Sequence, residues 1–134
     1  VQTCALPIFG KKLVQMLIQA GKNPKECRVL VMGVTFKENV SDIRNSKVVD
    51  LIWELENYSI SVDAIDPHAS SKEMRQQYQF QLKESAEGRY DAIVVAVGHQ
   101  IFKTLQHFAA QPILLDVKGI YRNQDWQKVK YWSL

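Results

Sequence analysis

Apolar residues recur at two different periods along this chain, and their alternation predicts its architecture. Between positions 9 and 20, Phe9, Leu13, Met16, Leu17 and Ala20 share one helical face, with Lys11, Lys12, Gln15 and Gln19 elsewhere. Gly21 and Pro24 then stop the helix. Residues 28–32 are an apolar run that breaks at Gly33, the mark of a buried strand. A helical stripe returns over 45–57 through Val48, Val49, Leu51, Ile52 and Leu55, with Ser41 or Asp42 available to cap its first turn. A second strand is expected over 59–65, ending at Asp66-Pro67, then a short helix over 70–78. A short extended piece is expected over 80–83 and a turn over 84–88. The clearest buried strand is 91–97, where Ile93, Val94, Val95, Ala96 and Val97 run without a polar break. Gly98-His99 turns the chain into a helix expected over 101–109. Pro112 precedes a strand over 113–115 that ends at Asp116-Val-Lys-Gly119. A polar turn at 122–125 and a short strand near 130–133 complete the pattern.

Strands alternating with helices imply a parallel sheet with right-handed crossovers. The expected fold is α/β, a Rossmann-like three-layer domain with a mostly parallel sheet of about five strands. A chain of 134 residues fits one such domain. The first eight residues, Val1-Gln-Thr-Cys-Ala-Leu-Pro-Ile8, lack periodicity, and Pro7 opposes a helix interior. They are expected to be a foreign or disordered leader. No internal repeat or low-complexity linker is visible.

Composition narrows the function classes. With 46% hydrophobic and 23% charged residues the chain reads as an ordinary globular protein. A net charge of +3 suits a small anionic ligand but is too weak to argue for nucleic acid, and no basic-aromatic ladder is present. No apolar run approaches the roughly 20 residues of a membrane span. Cys4 and Cys27 fit no metal spacing, nor do His68, His99 and His107. A reduced, cytosolic setting is the default. Cys27 opens a buried strand and reads as structural.

The candidate chemistry lies at strand ends, where open α/β sheets bind ligands. There is no P-loop signature. The first strand is followed by the single Gly33, not G-x-G-x-x-G, so a dinucleotide pyrophosphate has no close turn here. Asp66 comes 33 positions after Gly33 rather than about 20. A turn-forming Asp-Pro fits it better than a ribose contact. No Ser/His/Asp or Cys/His arrangement is evident, and no catalytic or metal-ligating residue is assigned. On the positive side, Lys37 and Arg44 flank an expected helix N-terminus, a sensible place for an anion. The alternative is a solvated loop in which Lys37, Glu38, Asp42 and Arg44 pair among themselves. Lys118 follows the fourth strand on the same rim, and Gly119 would let backbone approach a ligand. His99 follows a strand on this rim too, with helix capping its expected role.

The run Gly33-Val-Thr-Phe-Lys-Glu-Asn-Val-Ser-Asp-Ile-Arg-Asn-Ser46 resembles the G-x-[TA]-F-K-x-x-x-x-D-x-R-x-S signature of the UDP-glucose/GDP-mannose dehydrogenase family, in that family's C-terminal nucleotide-sugar-binding domain. Val62-Asp-Ala-Ile-Asp-Pro67, Asp91-Ala-Ile-Val-Val-Ala-Val-Gly-His99, Asp116-Val-Lys-Gly-Ile-Tyr121 and Tyr131-Trp-Ser-Leu134 follow in the family's order, so the resemblance spans about residues 9 to 134. The Lys-Glu-Asn and Asp-Val-Lys-Gly-Ile-Tyr forms look most like bacterial UDP-N-acetylhexosamine 6-dehydrogenases, which make uronic acids for capsule or O-antigen polysaccharides.

The resemblance implies an NAD-dependent oxidation of a sugar C6 alcohol to a carboxylate. NAD is then held mainly by an N-terminal domain, and a catalytic cysteine lies in a G-G-x-C-x-G-like motif that neither Cys4 nor Cys27 occupies. It implies nucleotide-sugar contacts at Phe36, Lys37 and Lys118, and a contact from Arg44 to NAD. Asp42 and Ser46 are expected to shape the loop and cap the helix. It further implies that residues 9–24 are the end of an inter-domain helix and its linker, that 25–134 bind the nucleotide sugar, and that the full enzyme is a homodimer or larger. The chain alone is then expected to be inactive. A stand-alone nucleotide-binding or regulatory module without catalysis remains the alternative, and a structural α/β domain without ligand a third.

Overall fold

The computed structural model describes residues 2–86, 88–104, 113–123, 126 and 129–133, the side chains of 2–7, 103 and 104 excepted. Its elements run α1 (Gln2–Gln19), a 3-10 turn (Pro24–Glu26), β1 (Arg28–Met32), α2 (Lys47–Asn57), β2 (Ser61–Ile65), α3 (Ser71–Tyr78), β3 (Ala92–Val95), a second 3-10 turn (Gln100–Thr104), β4 (Ile113–Asp116) and β5 (Lys130–Ser133). The five strands form one sheet in the order β2-β1-β3-β4-β5, parallel at every pairing. β1 is therefore an inner strand, flanked by β2 and β3, and β3 is the middle strand. The ends of those three strands open side by side onto one rim.

Alternation of side chains sorts the sheet into two faces. Val29, Val31, Ala64, Val94 and Leu115 point into a core filled by α1 and α2. Leu30, Met32, Ile65, Ile93, Val95 and Leu114 point the other way, against Phe102, Tyr121 and Val129. The Tyr121 hydroxyl donates to the carbonyl of Phe102 and so closes that second layer. On α1, Phe9, Leu13, Met16 and Leu17 are fully or almost fully buried, as the periodicity predicts. Each fully buried side chain of this kind contributes about 1.5–3 kcal/mol. Ala20 differs: it is exposed, while Val14 takes a buried place on the same helix. α1 ends at Gln19, so Ala20 lies in the turn beyond it, and Val14 reaches the core beside Leu13. The stripe Val48, Val49, Leu51, Ile52 and Leu55 on α2 is buried throughout.

Several boundaries depart from expectation: β2 begins at Ser61 rather than 59, and β3 is Ala92–Val95 rather than 91–97. Backbone 2–8, expected as a leader, is helical and continuous with α1. Pro7 is the sixth residue of this helix, past the first turn, so it leaves the carbonyl of residue 3 without its intrahelical donor. α2 begins at Lys47 rather than 45, because Asn45 takes a left-handed φ of 54° that a helix cannot use. Residues 80–83 form no strand, although Lys83 N–H donates to the Ala64 carbonyl at the sheet edge. Of the helix expected over 101–109, residues 101–104 lie in the second 3-10 turn, and 105–109 lie outside the described residues. The polar turn at 122–125 is described only as far as 123.

At the N-terminal end of β1, away from the rim, Arg28 pairs with Asp63 at 3.0 Å and lies over the Tyr90 ring at 4.5 Å. Asp91 accepts from Arg28 N–H and pairs with Lys22 at 2.9 Å, fixing the exit of α1 to the sheet. Arg28, Lys22, Asp63 and Asp91 thus meet one another's charges.

Candidate nucleotide-binding rim

The rim after β1, β3 and β4 gathers the predicted cations. Thr35, Phe36 and Lys37 follow β1, Ala96 and Val97 follow β3, and Val117 and Lys118 follow β4; with Asn45, Lys47 and Val48 at the start of α2 they line one cleft. The structure thus brings together Phe36, Lys37 and Lys118. Among the described residues no carboxylate is in ion-pair contact with Lys37, Lys47 or Lys118. Burial pushes the Lys118 ammonium below its ordinary range, against the opposing pull of Glu38. Phe36 is 53% exposed, an aromatic face left open beside the cations. Three lysines and a ring in one cleft can hold an anionic ligand that also carries a flat, stacking group.

Gly33 explains how the strand ends come so close. Its φ of +97° is open to glycine, and a Cβ there would stand 2.6 Å from the Cβ of Val97. That space is filled by protein, so the turn offers no bed for a dinucleotide pyrophosphate. Among the described residues this turn gives NAD no close pyrophosphate contact.

Arg44 lies elsewhere. It lines a separate polar groove with Ser41, Asp42, Glu73, Gln76 and Gln77. Its guanidinium grips Asp42 twice, at 3.0 Å from Nε to Oδ1 and 3.0 Å from Nη2 to Oδ2. Hydrogen bonding to Arg44 holds the Asp42 carboxyl below its usual range, and the same bond raises Arg44. The self-paired loop considered from sequence therefore describes Arg44 and Asp42 but not Lys37.

The caps also differ from expectation. Ser46 is the N-cap of α2, but its hydroxyl makes no capping bond; it donates to the Val34 carbonyl at 2.6 Å. Neither Ser41 nor Asp42 caps the helix. Tyr78 takes part instead, donating to the Ile43 carbonyl at 2.5 Å and accepting Ser46 N–H at 3.2 Å. His99 does not cap with its side chain either. The ring is fully buried and bonded to Asp66, Thr35 and Asn39. Asp66 does form the expected turn, accepting His68 N–H at 2.8 Å, and beyond that it accepts Val34 N–H at 2.7 Å and Thr35 N–H at 3.2 Å. Burial alone would raise the Asp66 carboxyl; hydrogen bonds from His99, Val34 and His68 outweigh it and leave it below its ordinary range.

Sequence reasoning missed Lys47 and the Asp66–His99 pair. Lys47 adjoins Ser46 at a helix start, a signal that was available. The pair had a weaker one: Asp66 directly follows β2, and His99 lies in the turn after β3. Among the described residues no group of three His, Cys, Asp or Glu could hold a metal ion, and no helix is long and apolar enough to cross a membrane.

Comparison with known proteins gives the family of the chain. The description "UDP-glucose/GDP-mannose dehydrogenase family, UDP binding domain" matches residues 30–123. A UDP-N-acetyl-D-glucosamine 6-dehydrogenase of Salmonella typhi is 43% identical over 97 residues, covering 72% of this chain and 23% of its own length. The enzyme of that name from Pseudomonas aeruginosa is 40% identical over 95 residues, covering 70% of this chain and 22% of its own. This chain thus spans less than a quarter of either relative. Among solved structures, the UDP-D-ManNAc dehydrogenase of Pyrococcus horikoshii superposes with a TM-score of 0.78 over 96% of this chain and 30% of its own, at 22% identity, which speaks to the fold. With 94 consecutive residues matched, including every strand end that forms the cleft, the chain belongs to the UDP-glucose/GDP-mannose dehydrogenase family, in its UDP binding domain.

Proposed function

We propose that this chain is the nucleotide-holding part of an NAD-dependent UDP-sugar 6-dehydrogenase, and that the cleft over β1, β3 and β4 receives the UDP portion of a UDP-N-acetylhexosamine. The observation that carries the reading is the convergence of Lys37, Lys47, Lys118 and the open Phe36 ring on one rim. A diphosphate carries two or more negative charges, which the lysines meet by charge-assisted hydrogen bonds. Uracil is a flat group for which Phe36 is a fitting surface. The C6 oxidation and the NAD it consumes belong to a longer polypeptide, as the short coverage of the relatives supports. Within it, residues 25–134 form the nucleotide-sugar unit and 9–24 lead into it. Arg44, on its own groove, faces the cofactor side of the seam. Exposed Ile8 and Ile18 on α1, with Tyr58 at the end of α2 beside them, support a homodimer or larger assembly. The product, a nucleotide-linked uronic acid, suits bacterial polysaccharide synthesis in the cytoplasm.

The test is a titration of the 134-residue chain with UDP, followed by backbone amide shifts. Shifts at 36, 37, 47 and 118 are expected. No shift there at millimolar UDP overturns the site, and NAD reduction by the chain alone overturns its assignment as a non-catalytic part.

A further inference from the structure

An exposed loop that must present two side chains at fixed places needs support from below, and here that support is a buried imidazole. The geometry points to His99 as a positioning residue: it fastens the loop that carries Phe36 and Lys37 and holds both at the rim before a ligand arrives. This inference rests on the nucleotide-binding reading of the cleft.

The hydrogen bonds give His99 one arrangement. Asn39 N–H donates to Nδ1 at 2.8 Å, so Nδ1 carries no proton. The ring proton is then on Nε2, which lies 3.0 Å from Asp66 Oδ2 and 3.0 Å from Thr35 Oγ1. The Thr35 hydroxyl passes the chain on, donating to the Lys37 carbonyl at 2.9 Å. Asn39 closes it from the other side, its Oδ1 accepting Gln100 N–H at 2.8 Å. Residues 35 and 39 are both tied to one ring, with Phe36 and Lys37 between them. Asn39 takes a φ of 61°, a left-handed turn that asparagine tolerates and that the bond to Nδ1 holds in place. Asp66 meets His99 from the end of β2, so strand order alone brings three strand ends to this ring. His68 and Phe102 pack on it at 4.5 and 5.2 Å between ring centres.

Two amide substitutions separate the roles of the two nitrogens. In His99→Gln the side-chain N–H replaces Nε2–H and keeps Asp66 and Thr35 satisfied, but nothing accepts Asn39 N–H. In His99→Asn the side-chain oxygen replaces Nδ1 and keeps Asn39, while Asp66 loses a donor. The experiment combines imidazole 15N shifts of the wild-type chain, amide hydrogen exchange and UDP affinity well below the unfolding temperature. The expected wild-type ring is protonated at Nε2 alone. His99→Gln should speed Asn39 exchange with Val34 and Thr35 still protected, and weaken UDP about tenfold, the cost of re-ordering about one residue of backbone on binding. His99→Asn should restore Asn39 protection and most of the UDP affinity. A proton on Nδ1 in the wild type overturns the inference whether or not either variant folds. So does a His99→Gln protein that binds UDP as the wild type does. If the wild-type chain itself fails to bind UDP, the nucleotide reading falls and the positioning role with it; Asn39 exchange then reports separately on whether the tie exists.

Discussion

Replacing Asp66 by asparagine tests how much the buried carboxylate stabilises the fold. Its Oδ2 accepts from Val34 N–H at 2.7 Å, Thr35 N–H at 3.2 Å and His99 Nε2 at 3.0 Å, and Oδ1 accepts from His68 N–H at 2.8 Å. Asparagine can turn its oxygen to the Oδ2 place and keep three bonds, but as bonds to a neutral acceptor. Its NH2 then faces His68 N–H, and that bond is lost. A bond to a charged acceptor contributes about 1.5–3 kcal/mol and a neutral one about 0.5–1.5, so three weakened bonds and one lost bond together cost about 4.5–7 kcal/mol. A buried carboxylate carries a desolvation penalty of several kcal/mol that an amide largely avoids, which offsets about 2–4 kcal/mol of this. The expected net loss is about 2–3 kcal/mol at pH 7, read by urea unfolding with tryptophan fluorescence as a midpoint lowered by roughly 1 M. The sign of the pH dependence follows from the depressed carboxyl. A depressed folded-state value means stability that is fully present above the ordinary carboxylate range, near 4, and is lost as pH falls through the folded value. The gap between wild type and Asp66→Asn should thus be flat from about pH 5 upward and close on acidification. A loss below about 0.5 kcal/mol at pH 7 would refute the reasoning, as would a gap that widens in acid.

Four further substitutions probe the rim and the groove beside it. Gly33→Ala drives a Cβ into Val97 at 2.6 Å and forces φ of +97°, so thermal melting should show a loss of about 2–4 kcal/mol; an unchanged melt would mean the strand ends can part freely. Tyr78→Phe removes both the donor to Ile43 and the acceptor for Ser46 N–H, and should cost about 1–2 kcal/mol in urea unfolding, with amide shifts confined to 43–46 and the end of α3. Lys47→Ala should weaken UDP several-fold at low salt and less at high salt, whereas Arg44→Ala, on its separate groove, should leave UDP affinity within about twofold; calorimetry that reverses this order would place the nucleotide in the other groove.

Periodicity made the layers legible because it reports which face of an element is buried. Val48 through Leu55 on α2 and the run Ile93, Val94 and Val95 on β3 needed nothing else. It says little about what side chains do between elements. Ser46 looked like a helix cap and is one by position, yet its hydroxyl bonds Val34 across the loop, a partner 12 residues away. His99 and Asp66 lie 33 residues apart, and their meeting depends on β2 and β3 both flanking β1. The cations were legible one by one through the signature run, because Lys37 and Lys118 each follow a strand. Their convergence with Lys47 depended on Gly33 allowing the β1 end to close against Val97.

The loop after β1 is one stretch of chain with two differently anchored halves, and this separates the tasks of Lys37 and Arg44. Residues 35–39 hang from the sheet through His99 and Asp66. Residues 43–46 hang from α3 and Val34 through Tyr78 and Ser46. Phe36 N–H donating to the Asp42 carbonyl at 2.6 Å joins the halves across the turn. Among the described residues a ligand reaching Lys37 has no carboxylate in ion-pair contact to displace, although water screens that exposed ammonium. A ligand reaching Arg44 must share or displace Asp42, which already takes both arms of the guanidinium. The first half is therefore poised to bind by itself, while the second binds only a partner strong enough to compete with its own aspartate. That asymmetry is what a seam between a nucleotide held by this domain and a cofactor held by another would require.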